Sequence, residues 1–187
     1  MKFILASKSP RRKEILEKIG LTFKVMNANA DESIISKNLD PYQYCMKLAV
    51  LKAEDISNKY SHYTVIGADT IVSIKNKILN KPKNFDEAND MLTLLSNNTH
   101  KVITGVSLKN KSLNIDKTFY DISFVTFYKL SDNQIDNYIK LYEPFDKSGA
   151  YGIQGYASLF VKRIEGSYDN IVGFPSSKFY QILKKYF

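Results

Sequence analysis

Short β-branched runs alternate with capped amphipathic segments along the whole chain, and that alternation narrows the folds open to it more than any other feature. Phe3-Ile4-Leu5-Ala6 predicts a buried strand. Ser9 stands where a helix N-cap belongs, with Pro10 in the first helical position, where its missing N–H costs nothing. Ile15, Leu16 and Ile19 give that helix an apolar face, and Gly20 ends it. Phe23 to Met26 reads as a second strand and Asn29 to Leu39 as polar loop. Asp40-Pro41 opens the next helix in the same manner, running to about Lys59 with Tyr44, Leu48 and Leu51 as its stripe. Thr64-Val65-Ile66 and Thr70 to Ile74 are strand material, with Gly67-Ala68-Asp69 between them. Lys75-Asn76-Lys77 turns the chain into Ile78-Leu79. Asn84 with Glu87 marks a third helix start, and Ser131 with Gln134 forms a capping box for a fourth. Val102 to Leu108 and Thr118 to Phe127 read as long strands around a polar hairpin, Lys109 to Asn114, which implies an antiparallel portion. Asp146 to Gly155 reads as glycine-rich loop, Leu159 to Ile164 as a strand and Pro175 to Tyr186 as a final helix. The class is mixed α/β, a central sheet flanked by helices. No repeat or low-complexity linker interrupts it, so residues 1–187 read as a single domain.

Composition removes several alternatives. The chain is 44% hydrophobic and 25% charged. At this length roughly 70% of the unfolded surface can be buried, so no covalent staple is needed. One cysteine, Cys45, forms neither an internal disulfide nor a multi-cysteine zinc site. With only His62 and His100 available, a metal site must rest mostly on oxygen ligands. The apolar runs fall far short of the ~18 residues of a membrane span. The opening Met1 to Ala6 starts like a signal peptide, but Lys8, Arg11 and Arg12 interrupt it, which predicts a cytoplasmic protein with no membrane partner. The net charge is +8, an attraction for anions. Only Lys8 to Lys13 is densely basic, which suits a phosphate pocket better than a long nucleic-acid groove.

Three segments carry candidate chemistry. Ser7-Lys8-Ser9-Pro10-Arg11-Arg12 is a strand, a turn and a helix start, where free N–H groups and the helix dipole receive phosphate. Arg11 and Arg12 add forked donors suited to phosphate oxygens; the alternative is a basic first turn paired with surface acids. Gly67-Ala68-Asp69-Thr70 places a carboxylate in apolar β surroundings, which is costly without a partner. Such a group holds Mg²⁺ or activates water; the alternative is a turn aspartate bonding its own backbone. Asp31-Glu32 in the preceding loop offers a second carboxylate unless these adjacent acids are merely solvated. Lys52 and Lys81 read by themselves as snorkelling or surface lysines. In Asp146 to Gly155, the glycines allow close backbone approach to a ligand, and Gln154 offers a donor and an acceptor to a base edge; the alternative is a long turn. His100 reads as structural, His62 as a surface residue, and Cys45 as a small helix-face residue without the basic neighbours of a nucleophile.

Taken in order, Leu5 to Leu16, Ile66-Gly67-Ala68-Asp69-Thr70, Lys81-Pro82, His100-Lys101-Val102-Ile103-Thr104-Gly105, Asp146 to Gly155, and Asn170 to Pro175 resemble the motifs of the Maf family of nucleoside triphosphate pyrophosphatases. The resemblance covers essentially the whole chain. It implies an elongated α/β fold, inosine-triphosphatase-like, with a cleft across a mixed sheet. It also implies hydrolysis of a nucleoside triphosphate to the monophosphate and pyrophosphate with a divalent metal, Mg²⁺ or Mn²⁺. By motif, Asp69 resembles the catalytic aspartate, as base or as metal holder. Ser7, Arg11, Arg12, Glu32, Lys52 and Lys81 resemble the polar cleft set, with Glu32 completing the metal site. Arg11, Thr70 and Gln154 resemble the marks of the subgroup acting on dTTP and UTP, whose members also take modified pyrimidine nucleotides. Ser148 stands for the usual alanine and Phe174 for the usual leucine, and Asn97-Asn98 replace a glycine. The expected partner is a nucleotide substrate, not nucleic acid, with a homodimer left open. The competing reading is a nucleotide-binding regulator of septum formation with little turnover.

Overall fold

The computed structural model describes residues 2–36 and 38–186; Met1, Lys37 and Phe187 lie outside the described residues. In chain order the strands are β1 (Phe3–Ala6), β2 (Phe23–Met26), β3 (Thr64–Ile74), β4 (Lys77–Leu79), β5 (Thr99–Asn110), β6 (Ile115–Phe127) and β7 (Val161–Glu165). The helices are α1 (Pro10–Lys18), α2 (Pro41–Ser57), α3 (Phe85–Leu95), α4 (Asp132–Tyr142), α5 (Tyr168–Val172) and α6 (Ser176–Leu183). The protein is mixed α/β, with a central mixed sheet flanked by helices. Strand order is β2-β1-β3-β5-β6-β7, with β4 paired to β3. β1 runs parallel to β2 and β3, while β3–β4 and β6–β7 are antiparallel.

The chain divides into two compact units. The first holds Met1–Thr70, Thr104–Asp121 and Gly173–Phe187. Its core packs Ile4 and Ala6 of β1 and Val65 of β3 against Ala53 and Ile56 of α2, with Met26 and Tyr63 at the margin. The second holds Ile71–Ile103 and Ile122–Val172. Its core is aromatic: Phe127 meets His100, Tyr151 and Phe160 edge-on, with centroids 5.0, 4.8 and 6.0 Å away.

Local signals set most helix starts. Ser9 Oγ accepts from Arg12 N, Asn84 Oδ1 from Glu87 N, and Ser131 with Gln134 completes the capping box. Asp40 differs from expectation: α2 starts at Pro41, yet the aspartate side chain makes no capping bond. Gly67-Ala68-Asp69 is not a break between strands, because β3 runs unbroken from Thr64 to Ile74. Gly67 serves packing there: a Cβ at that position would collide with the backbone of Ala49 and Ala53 on α2. β5 and β6 are longer than their apolar runs, extending to Asn110 and from Ile115, so the hairpin shrinks to residues 111–114.

The glycine-rich segment contains single 3-10 turns, Pro144–Asp146 and Ser148–Ala150, and another turn, Gly155–Phe160, takes the start of the expected last strand. The final helix is shorter than expected, ending at Leu183, and α5 went unforeseen because five residues are too few to show a helical period. Among its described residues, the polar loop 29–39 holds a 3-10 turn, Glu32–Ile34, started by Asp31 accepting from Ser33 N.

Candidate active site

In the first unit, the sheet creates the site by where β1 stops. Ala6, its last residue, pairs with Gly67. The chain then leaves at Ser7, while β3 continues through Asp69 and Thr70. β2 and β3 flank β1 on opposite sides in parallel register, so its end is a switch point where successive connections diverge. Parallel sheets bind ligands at such points.

Two side-chain networks meet on the consecutive residues Asp69 and Thr70. Lys52 Nζ lies 2.5 Å from Asp69 Oδ1 and 2.9 Å from Glu32 Oε1. α2 aims this lysine through its spacing: in the buried stripe Cys45, Ala49 and Ala53, the two alanines rest on β3 at Gly67 and Cys45 on β5 at Gly105, and Lys52 lies beside that stripe. Cys45 strengthens the same seam, its thiol donating to Asp69 O at 3.2 Å and accepting from Gly105 N at 3.1 Å.

The second network centres on Arg12. Its Nε donates to Gly173 O at 3.0 Å, Nη1 to Ser7 Oγ at 3.1 Å and Nη2 to Thr70 Oγ1 at 3.0 Å. Thr70 Oγ1 also lies 2.9 Å from Thr104 Oγ1 and 3.3 Å from Gly173 O. Ser7 Oγ accepts from Ser9 N as well, tying the turn to the helix start.

Burial and charge act in opposite directions on the cations. Desolvation alone would pull the Lys52 ammonium down. The charge and hydrogen bond of Asp69, with a smaller contribution from Glu32, outweigh it, and the net direction is up. Lys52 is therefore locked as a cation. Burial pulls Arg12 below the ordinary guanidinium value, against the opposing charge of Asp69. Burial, reinforced by Asp69, pushes the Cys45 thiol up, so it remains an S–H donor and not a nucleophile.

Ser7, Arg12 and Thr70 are thus brought into direct contact, as are Lys52, Asp69 and Glu32. Arg11 is half-buried beside Arg12 and adds to the positive charge that Arg12 feels. Lys81 and Gln154 belong to the second unit, both exposed. His100 is buried there, Nε2 lying 2.7 Å from the Tyr151 hydroxyl; exposed His62 meets Ser112 Oγ at 2.8 Å. The residues not singled out in the sequence are Thr104 and the carbonyl of Gly173. Both lie within motifs read there, but a buried hydroxyl and a backbone oxygen leave no charge or spacing signal.

Among the described residues, no three His, Cys, Asp or Glu side chains cluster as a metal cage. Asp69 and Glu32 do converge on one cation, the Lys52 ammonium. Two carboxylates with the remaining positions filled by phosphate oxygens and water form the donor set that suits Mg²⁺ or Mn²⁺, so these residues fit such an ion.

Residues 2–186 match the family model described as Maf, Maf-like protein. The chain is 49% identical over 187 residues to a dTTP/UTP pyrophosphatase of Lachnoclostridium phytofermentans, covering 98% of this chain and 94% of that protein. It is 48% identical over 187 residues to a dTTP/UTP pyrophosphatase of Clostridioides difficile, covering 100% and 96%. Among solved structures, it resembles the Staphylococcus aureus Ham1 protein with a TM-score of 0.49 and 14% identity, covering 68% of this chain and 72% of that one.

Proposed function

The chain belongs to the Maf family, and from that premise we propose that it hydrolyses dTTP and UTP to the monophosphate and pyrophosphate as a single catalytic domain. The observation that carries the reading is Lys52 holding Asp69 and Glu32 together at the switch point, next to the Arg12 network. Cleavage between the α and β phosphates needs an activated water and neutralisation of charge on the departing pyrophosphate. Asp69 accepts the proton of the attacking water or shares a cation with Glu32. A bound Mg²⁺ or Mn²⁺ would be held by Asp69 and Glu32 and would supply polarisation of water or of a phosphoryl oxygen. Lys52 orients both carboxylates and contributes fixed positive charge. Ser7, Arg11 and the remaining N–H groups of Arg12 bind phosphate oxygens. Lys81 and Gln154 are assigned to phosphate and base by their motifs alone. The amide of Gln154 complements the N3–H and carbonyl pair that uracil and thymine present. We place the protein in the cytoplasm, where such nucleotides circulate.

The test is a nucleotide panel assayed for pyrophosphate and orthophosphate, with Mg²⁺, Mn²⁺ or chelator. Pyrophosphate from dTTP and UTP in excess over CTP is the expected result. Orthophosphate as sole product overturns the reading, and nucleotide binding with no turnover favours the regulator. Replacing Gln154 by alanine leaves a base edge unpaired, with an expected 5- to 150-fold (roughly 1–3 kcal/mol) fall in kcat/KM for UTP. CTP should change much less; an equal fall for both would mean that Gln154 supports its loop without reading the base.

A further inference from the structure

Thr104 is fully buried on β5, and a buried hydroxyl needs a partner. It has one in Thr70 Oγ1 at 2.9 Å. A hydroxyl offers one proton and two lone pairs. Arg12 Nη2, 3.0 Å from Thr70 Oγ1, can only donate, and Gly173 O, 3.3 Å away, can only accept. The Thr70 oxygen therefore accepts from Arg12, and it is tied on its other sides to Thr104 and to Gly173 O. The Thr70 oxygen is thus backed by a fully buried side chain, and it presents a lone pair to the guanidinium. Gly173 O anchors the other side of that guanidinium through Nε at 3.0 Å.

We infer that Thr104 is a positioning residue for the reaction: through Thr70 it fixes the Arg12 guanidinium beside Asp69. The inference rests on the proposed function and adds a residue that touches neither nucleotide nor metal. It also gives Thr70 a role different from base contact. Its hydroxyl sets the arginine, and a preference seen on changing Thr70 would be transmitted through Arg12.

The experiment compares Thr104→Val, which keeps the volume and removes the hydroxyl, with Thr104→Ser, which keeps the hydroxyl. The readouts are kcat and KM for dTTP and UTP, thermal midpoints, and the Nε–H resonance of Arg12 in ¹⁵N-arginine protein, assigned with Arg12→Lys. The expected result for T104V is about a tenfold lower kcat/KM, roughly the loss of one hydrogen bond, with a broadened or shifted Arg12 resonance. T104S should return the rate to within about threefold and restore the resonance. Wild-type kinetics and an unmoved Arg12 signal in T104V overturn the inference. So does a rate loss that serine fails to rescue. If the valine variant does not fold, Thr104→Ala against Thr104→Ser makes the same comparison, and equal rates overturn the inference. If wild type turns over no nucleotide, the functional reading fails by itself, while the Arg12 resonance still decides whether Thr104 positions it.

Discussion

In the first unit, the half-buried Arg12 and Lys52 stand among groups that complement them: two carboxylates, two hydroxyls and a backbone carbonyl. In the second unit, one buried basic side chain is an imidazole enclosed by rings. His100 packs edge-on against Phe127 and Tyr151, its Nε2 meets the Tyr151 hydroxyl, and Nδ1 has no partner among the described residues. The same burial therefore has different consequences. Around Lys52 it is answered by opposite charge, and the ammonium is held. Around His100 nothing answers it, and the ring is held neutral, its pKa lowered to about 4. Buried ion pairs are weak sources of net stability, whereas packed aromatic rings are strong ones. The first arrangement suits orientation of charge for chemistry, and the second suits holding a unit together.

The largest effect should come from Phe127→Ala, since Phe127 is 1% exposed at the centre of the aromatic cluster. A loss of about 3–5 kcal/mol is expected in urea unfolding, with kcat/KM per folded molecule unchanged. A fall in turnover without a fall in stability would erase the contrast between the units.

His100 sharpens the same contrast through pH. Its folded value near 4 lies below the ordinary 6.5, so the unfolded chain takes up a proton that the folded protein resists. Stability from this residue is complete above about pH 6.5 and drains away as pH falls toward 4, by about 3 kcal/mol in all. Stability measured from pH 7 to 4 in wild type and His100→Gln should show a shallower loss in the variant. Parallel curves would mean that the acid sensitivity lies in the carboxylates of the first unit.

Asp69→Asn tests the other side. It removes the charge while keeping the shape, and Lys52 retains Glu32. The expected loss in kcat is at least ~100-fold, about 2.7 kcal/mol, with little change in thermal midpoint. Near-normal turnover in a folded variant would reduce Asp69 to a structural partner of Lys52. The smallest effect is Ser131→Ala, which removes a capping box on α4. About 1 kcal/mol of stability should go, with activity untouched; a larger activity loss would tie α4 to the chemistry.

Legibility in the sequence followed the distance over which each contact acts. The caps at Ser9, Asn84 and Ser131 bond the backbone within three residues, so residue type and spacing revealed them. Asp40 carried the same signal, yet α2 starts at Pro41 without a bond from the aspartate side chain. Asp69 stands out as a charge among β-branched residues, yet Gly67-Ala68-Asp69 reads as a break between two strands. Only packing against α2 shows why Gly67 is there, and it leaves β3 continuous. Lys52 read as a surface lysine by itself and as a cleft residue by resemblance; its 2.5 Å approach to Asp69 spans 17 positions and has no local trace.

The sequence by itself determined the class, the sites of the helix starts and the family, since periodicity, caps and ordered motifs are properties of neighbouring residues. Tertiary structure alone decided what the polar residues do. Arg12 meets Thr70 across 58 positions and Gly173 across 161, and Thr104 entered the network only when β3 and β5 came to lie side by side. A hydroxyl or guanidinium is assigned its role by the donors and acceptors that folding places within about 3 Å, and no spacing along the chain encodes that.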